Sequence, residues 1–254
     1  MAVKSAERTL QVLDLLTARE RALTFTEIGA VLDVPVSSLH GLLRTLVACG
    51  WVEYGETTRE YALGIRALEA GNAYTRSFGL PDRARPLMTR IRDEIDETVQ
   101  LAVLDGRFNV YVAKVDGGHA LRLASEVGRR LPAHATGLGK VLLASLDPRE
   151  LTDLLGGVRL ERYTGSTMAD LPALRRYLAE VRRRGYALDN EEYSVGVRCV
   201  AAPVCDSEGR TVAAMSVSVP TARFGRHRRQ VALRLLLEAT GELSAALGYS
   251  GDRA

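Results

Sequence analysis

The chain has 254 residues, 46% hydrophobic and 26% charged, a length and balance that suit a globular protein of two domains. No apolar run reaches the roughly 18–20 residues of a membrane span, the N-terminus lacks the apolar core of a secretory signal, and Cys49, Cys199 and Cys205 are too few for a disulfide framework, so a cytoplasmic location without a membrane partner is expected. A net charge of +3, with no large basic excess in the first 66 residues, excludes nucleic-acid binding by bulk charge and leaves phosphate contacts to individually placed residues.

Residues 4–18 form a predicted helix that opens at Ser5 or its neighbours. Val3, Ala6, Leu10 and Leu13 share one face, and Val12 and Leu15 lie on nearly the opposite one. A surface helix needs one apolar stripe. Two stripes imply that one packs on its own domain and the other on a partner chain, and Val12 and Leu15 are assigned to the partner. A second helix, roughly 26–32, takes Thr24 or Thr26 as its cap, with Glu27 in its first turn. Asp33-Val34-Pro35 makes a turn, and Pro35 suits the first turn of a third helix that ends near Cys49-Gly50. Trp51 to Leu63 reads as a hairpin around Gly55-Glu56-Thr57-Thr58, and residues 64–78 as a connecting helix broken at Gly79-Leu80-Pro81. Helix, turn, helix and two-stranded ribbon is the order of a winged helix-turn-helix, whose second helix enters the DNA major groove.

In that helix Leu39, Leu42, Leu43 and Leu46 follow the i, i+3, i+4, i+7 pattern of a core face. Ser37, His40, Gly41, Arg44 and Ala48 lie opposite, with Thr45 beside them. Arg44 suits a guanine edge or a phosphate, and His40 the same more weakly. The hydroxyls of Ser37 and Ser38 cap the helix or meet phosphate. Gly41 costs roughly 0.5–1 kcal/mol against alanine; it either lets the backbone approach DNA closely or reflects a tolerant site. Arg59, near the hairpin tip, is a phosphate contact or a plain surface charge.

A second domain starts near Pro81. A helix over about 82–96 precedes strands near 98–104, 108–115 and 120–126. Thr136-Gly137-Leu138-Gly139 opens a helix with Leu138, Val141, Leu142 and Ser145 on its apolar face. Helices fit 148–155 and 170–184, strands 197–204 and 211–219, and a closing helix 227–247. A sheet with helices on its faces, sized for a small ligand, follows. The basic runs Arg182-Arg183-Arg184 and Arg226-His227-Arg228-Arg229 read as solvated faces.

Several segments, in order and at family spacing, resemble the IclR family of bacterial transcriptional regulators. They are residues 5–10, 37–43 and 61–64, then 131–140, 185–192, 196–204 and 213–218. The resemblance implies an α+β architecture: a winged helix-turn-helix over 1–66, a linker helix over 67–80 and a GAF-like mixed α/β effector-binding domain over 81–254. It implies double-stranded operator DNA as a partner, dimers through the N-terminal domains, dimers of dimers through the effector domains, and repression more than activation. The family often has arginine where this chain has Gly41, which moves base readout toward Ser37, His40 and Arg44.

Gly137 and Gly139 bracket a helix start, where open N–H groups favour an anion. The resemblance places the effector pocket at Gly137 and Leu138, Asp189, Cys199, Ser216 and Ser218, with a small organic or aromatic acid as ligand. Ser216 and Ser218 share one side of a strand. Alternatives stay open: Asp189 in a solvated loop, Cys199 as a small core residue, the serines paired with their own neighbours. Gly137-Leu138-Gly139-Lys140 lacks the upstream glycine and following hydroxyl of a phosphate-binding loop. His40, His119, His134 and His227 form no metal motif, no Gly-x-Ser-x-Gly elbow occurs, and Cys199 with Cys205 cannot complete a zinc site. No catalysis, cofactor or metal is expected.

Overall fold

The computed structural model describes residues 3–19, 21–32, 34–118 and 126–251. Asp33, His119 and almost all of the strand expected over 120–126 lie outside the described residues. Two compact units divide between Phe78 and Gly79.

The first unit runs α1 (Lys4–Ala18), β1 (Leu23–Thr24), α2 (Phe25–Val31), α3 (Val36–Ala48), β2 (Val52–Gly55), β3 (Glu60–Leu63) and α4 (Ile65–Phe78). The two-residue β1 joins the hairpin in an antiparallel sheet of order β1-β3-β2. Thr24 caps α2. Its Oγ1 accepts from the Glu27 N–H at 3.3 Å, and the Glu27 carboxylate accepts from the Thr24 N–H at 2.8 Å. Two helix-start amides are thereby satisfied reciprocally. Pro35 stands at the cap of α3 rather than within it. Gly50, at φ +74°, makes the left-handed turn that ends α3. Leu39, Leu43 and Leu46 join Leu23, Ile28 and Val52 in the core, and Leu42 is half-buried at its edge.

The stripes of α1 are the reverse of the expectation. Val12, Leu15 and Leu16 pack into the core of their own unit, whereas Val3 and Leu10 are 67% and 61% exposed. Leu16, one turn beyond Val12, widens that stripe to the breadth a packed helix face needs. Val12 and Leu15 are therefore core residues and not partner contacts.

The second unit carries α5 (Leu80–Ile95), β4 (Thr98–Asp105), β5 (Phe108–Val115), β6 (Arg130–Pro132), α6 (Gly137–Ser145), α7 (Pro148–Leu155), α8 (Leu171–Arg184), β7 (Ala187–Asn190), β8 (Val197–Cys205), β9 (Thr211–Pro220) and α9 (Arg226–Ala246). The sheet is antiparallel, in the order β6-β5-β4-β9-β8-β7. Strand alternation divides its residues between two cores. Val200, Ala202, Val204, Met215, Val217 and Val219 pack with α5 and α9. Ala201 and Ala214 pack with α6, α7 and α8. Cys199, Ser216 and Ser218, at even spacing from those alanines, share the second face.

Helix α6 has no amphipathic face. Gly137 through Ala144 are all buried, and Ser145, expected on the apolar side, is exposed. Nor are the basic runs simply solvated. Arg182 donates to the carbonyls of Ala144 and Leu146 at 2.8 and 3.0 Å, closing the C-terminal end of α6. Arg223 and Arg228 converge on the buried Glu97 carboxylate. At the outer edge of the sheet, the Tyr177 hydroxyl donates to the Leu188 carbonyl and accepts from the Leu188 N–H, both at 2.9 Å.

One backbone crossing sets the angle between the hairpin and α3. Gly64 donates to the Trp51 carbonyl at 2.8 Å, and a Cβ at Gly64 would lie 2.3 Å from the Gly50 carbonyl oxygen. Gly64→Ala is expected to cost about 1–3 kcal/mol, the range of an overpacked site, measured by denaturant titration of the full chain. Unchanged stability would show that this crossing yields freely.

Candidate functional site

Two sites take shape, one in each unit. On α3, Ser37, His40, Gly41, Arg44 and Thr45 are exposed and Ser38 is half-buried. A Cβ at Gly41 would meet no atom within 4 Å, so nothing inside this unit requires glycine there. Thr45 donates its hydroxyl to the Gly41 carbonyl at 2.9 Å and keeps its oxygen lone pairs outward. His40 lies against the Phe25 ring at 6.4 Å. Arg59 takes the left-handed φ of 57° in the turn between β2 and β3 and is exposed.

In the second unit a cavity of about 110 Å³ opens over the sheet face beneath α6. Gly137, Leu138, Asp189, Cys199, Ser216 and Ser218 all line it. Strand register brings them together. Asp189 stands opposite Cys199, and Cys199 opposite Ser218, across three neighbouring strands. Ser216 stands opposite Gln100. The Cys199 thiol and the Ser218 hydroxyl are 3.1 Å apart. Ser216 and Ser218 both donate to Gln100 Oε1, at 3.1 and 2.8 Å.

The glycines act differently from the expectation. A Cβ on Gly139 would lie 2.2 Å from the Ala133 backbone, so this glycine is needed for close packing. Its N–H is taken by Thr136 Oγ1 at 3.0 Å, and the Gly137 N–H faces the Asp189 carboxylate and favours its charged form. The anion at the start of α6 is Asp189 itself, and of the two amides expected to be open to a ligand it takes up the Gly137 N–H while Thr136 takes the other.

Asp189 lies in β7 and not in a solvated loop. Burial pushes its carboxyl up to about 6; the Lys140 charge and the N–H groups of Glu192, at 2.9 Å, and Gly137 oppose that shift, while the Glu192 charge adds to it. Burial also raises the Cys199 thiol and the Tyr111 hydroxyl, with Asp189 contributing to both. Cys199 is thus a weakly acidic donor and not a nucleophile. Lys140, fully buried, forms an ion pair with Glu192 and donates to the Leu188 carbonyl at 2.7 Å. Sequence reasoning missed Lys140, Gln100, Tyr111 and Tyr193. Gln100 alone carried a signal, as an amide inside the apolar run Val99 to Val103. His134 is buried with its Nε2 2.9 Å from the Glu161 carbonyl. Among the described residues no group of His, Cys, Asp and Glu is placed to hold a metal ion, and no single helix is long and apolar enough to cross a membrane.

Two family models match the chain: the IclR helix-turn-helix domain over residues 5–56 and the bacterial transcriptional regulator IclR C-terminal domain over residues 72–245. The HTH-type transcriptional regulator XynR of Escherichia coli (strain K12) is 39% identical over 247 residues, covering 97% of this chain and 98% of that protein. The transcriptional repressor IclR of the same strain is 32% identical over 248 residues, covering 97% and 90%. Among solved structures, an IclR homolog complexed with 4-hydroxybenzoate from Microbacterium hydrocarbonoxydans superposes with a TM-score of 0.82 at 27% identity, covering 95% of this chain and 99% of that one.

The Asp189 carboxyl binds a proton more tightly in the fold, at about 6, than at its ordinary 3.8. Between those values the folded state holds more protons, so this group makes stability fall as pH rises from about 4 to 6, and its full cost is present above that range. Asp189→Asn removes the effect. The stability difference, variant minus wild type, is expected to grow by about 2–3 kcal/mol between pH 4 and pH 7, read from denaturant midpoints. A difference independent of pH would mean that Asp189 titrates normally.

Proposed function

The chain belongs to the IclR family of bacterial transcriptional regulators, a family of regulators and not of enzymes, and on that premise we propose that it is a cytoplasmic repressor whose grip on operator DNA is set by a small organic acid held in the cavity beneath α6. The reading rests above all on the convergence of Gly137, Leu138, Asp189, Cys199, Ser216 and Ser218 around one cavity. In this reading residues 1–66 bind DNA, 67–80 link, and 81–254 sense the effector.

Residues 36–48 of each subunit enter a major groove, with Ser37, His40 and Arg44 at base edges or phosphates, Ser38 and Thr45 beside them, Gly41 allowing close approach and Arg59 on the backbone. Dimer half-sites then lie about one helical turn, roughly 34 Å, apart. Val3 and Leu10 on α1, with the exposed Ile65 and Leu68 on α4, are the apolar surface for pairing two subunits, and the sensor units pair the dimers further.

The cavity supports a ligand near benzene in size, by comparison with apolar cavities of about 150 Å³ that take benzene. An ionised Asp189 repels a bare carboxylate, so the favoured acid also carries a hydroxyl that donates to Asp189. Its carboxylate draws the Ser216 and Ser218 protons away from Gln100. The complex of the related regulator with 4-hydroxybenzoate makes hydroxylated aromatic acids the first to test. The effector alters DNA affinity by its differential affinity for two arrangements of the subunit.

Arg44→Ala is expected to lose about 1–3 kcal/mol of affinity for DNA from upstream of the protein's own gene and little for a scrambled sequence, read by gel-shift titration. Equal affinity of wild type and variant for the upstream DNA would remove Arg44 from the reading set. Ser218→Ala is expected to weaken 4-hydroxybenzoate, or the hydroxy acid that most raises the melting midpoint, by about 1.5–3 kcal/mol in calorimetry while DNA binding without ligand is kept. Equal ligand affinity in both proteins would show the pocket assignment to be wrong.

A further inference from the structure

Outside β7 lies a second, larger groove of about 590 Å³, lined by Arg198, Arg226 and Arg229 with Asn190, Glu192 and Phe224. Its size is that of small-molecule sites. Arg226 and Arg229 are exposed, and among the described residues neither guanidinium has a hydrogen-bond or ion-pair partner. They sit in the first turn of the 21-residue helix α9, whose cap, Gly225, brings no side-chain acceptor and whose first turn holds no acidic residue of its own, so its positive end is not capped by a side chain. Arg198 meets Glu191 at 3.3 Å through one terminal nitrogen, while its Nε is buried without a partner among the described residues.

An independent observation comes from Glu192, which is 3% exposed. One of its carboxylate oxygens is held by Lys140. The other, Oε2, is buried and has no partner among the described residues. Buried polar atoms are almost always satisfied, and these two need opposite things: Arg198 Nε needs an acceptor and Glu192 Oε2 a donor. Lys140 already balances the Glu192 charge and Glu191 meets Arg198, so Arg226 and Arg229 stand against the single Asp189 carboxylate and leave the groove net positive. Guanidinium forks match the paired oxygens of phosphate and carboxylate.

We propose that this groove is a second ligand site, taking a small oxyanion that also carries a hydroxyl: a phosphate ester or a hydroxylated polycarboxylate. It is separate from the cavity beneath α6, with Asp189 in the wall common to both.

Calorimetry of the full chain at constant ionic strength, with inorganic phosphate and citrate as probes and sulfate as control, tests the proposal. Phosphate keeps an O–H near neutral pH, and sulfate has the same shape without one. Phosphate is expected to bind at least about tenfold more tightly than sulfate. Arg226→Ala with Arg229→Ala is expected to weaken phosphate about tenfold or more. Arg149→Ala with Arg176→Ala, two exposed cations of the same unit outside the groove, is expected to leave it within about twofold. Of the binding that the Arg226→Ala, Arg229→Ala protein loses, citrate above phosphate assigns the site to hydroxylated carboxylates, and the reverse to phosphate esters. Equal binding of phosphate and sulfate, no phosphate binding, or equal losses in the two double variants would overturn the proposal. Arg226 and Arg229 line the groove and not the cavity beneath α6, so the loss that their double variant causes stands or falls apart from the effector reading.

Discussion

A charged amine stays in a protein interior only where its charge is met and its hydrogens are used. Lys140 is fully buried, and three different elements meet it: the Glu192 carboxylate beyond β7, the Leu188 carbonyl within β7, and the Tyr177 ring of α8 at 4.8 Å. The lysine thereby locks α6 to the outer edge of the sheet. Because the first turn of α6 and the face of β7 are two walls of the cavity, its width is fixed by an ion pair that does not line it. Losing either partner would strand a charge in the core and release both walls together.

That arrangement also settles which charge occupies the start of α6. The helix end attracts an anion, and the fold supplies one from its own chain in Asp189. A ligand acid is left with the polar row formed by Gln100, Ser216, Ser218 and Cys199, whose protons are already shared among themselves. In the proposed reading, selectivity depends on how a ligand re-pairs this row.

The DNA-facing half was largely legible in the sequence because its signals are local. Thr24 with Glu27, Pro35 and Gly50 punctuate helices within a few residues, and the leucines of α3 repeat at helical spacing. The two stripes of α1 were visible, but which one faced the core depended on a sheet contributed by residues further along the chain. In the second unit the long strands and helices were legible. The three residues of β6 and four of β7 are too few to show alternation. The residues around the effector cavity came from resemblance, and their physical basis lay beyond local reading. Gln100 meets serines 116 and 118 positions away, and Lys140 meets a glutamate 52 positions away. A lysine in a glycine-rich helix start does not announce that it is buried. Gly139 was singled out, but its reason is the Ala133 backbone and not a ligand.

The Tyr177 hydroxyl at the edge of β7 has a consequence for assembly. An edge strand normally presents free N–H and C=O groups to any passing strand. Here one side-chain oxygen occupies both groups of Leu188, as a neighbouring strand would, and Arg184 holds that oxygen in place at 2.6 Å. At the opposite edge β6 is three residues long and ends in Pro132, which has no N–H to offer. Among the described residues, Leu188 of β7 and Pro132 of β6 are closed to an added strand, and copies of this unit that met at these two places would do so through side chains, in contacts that can be made and released without unzipping a shared sheet.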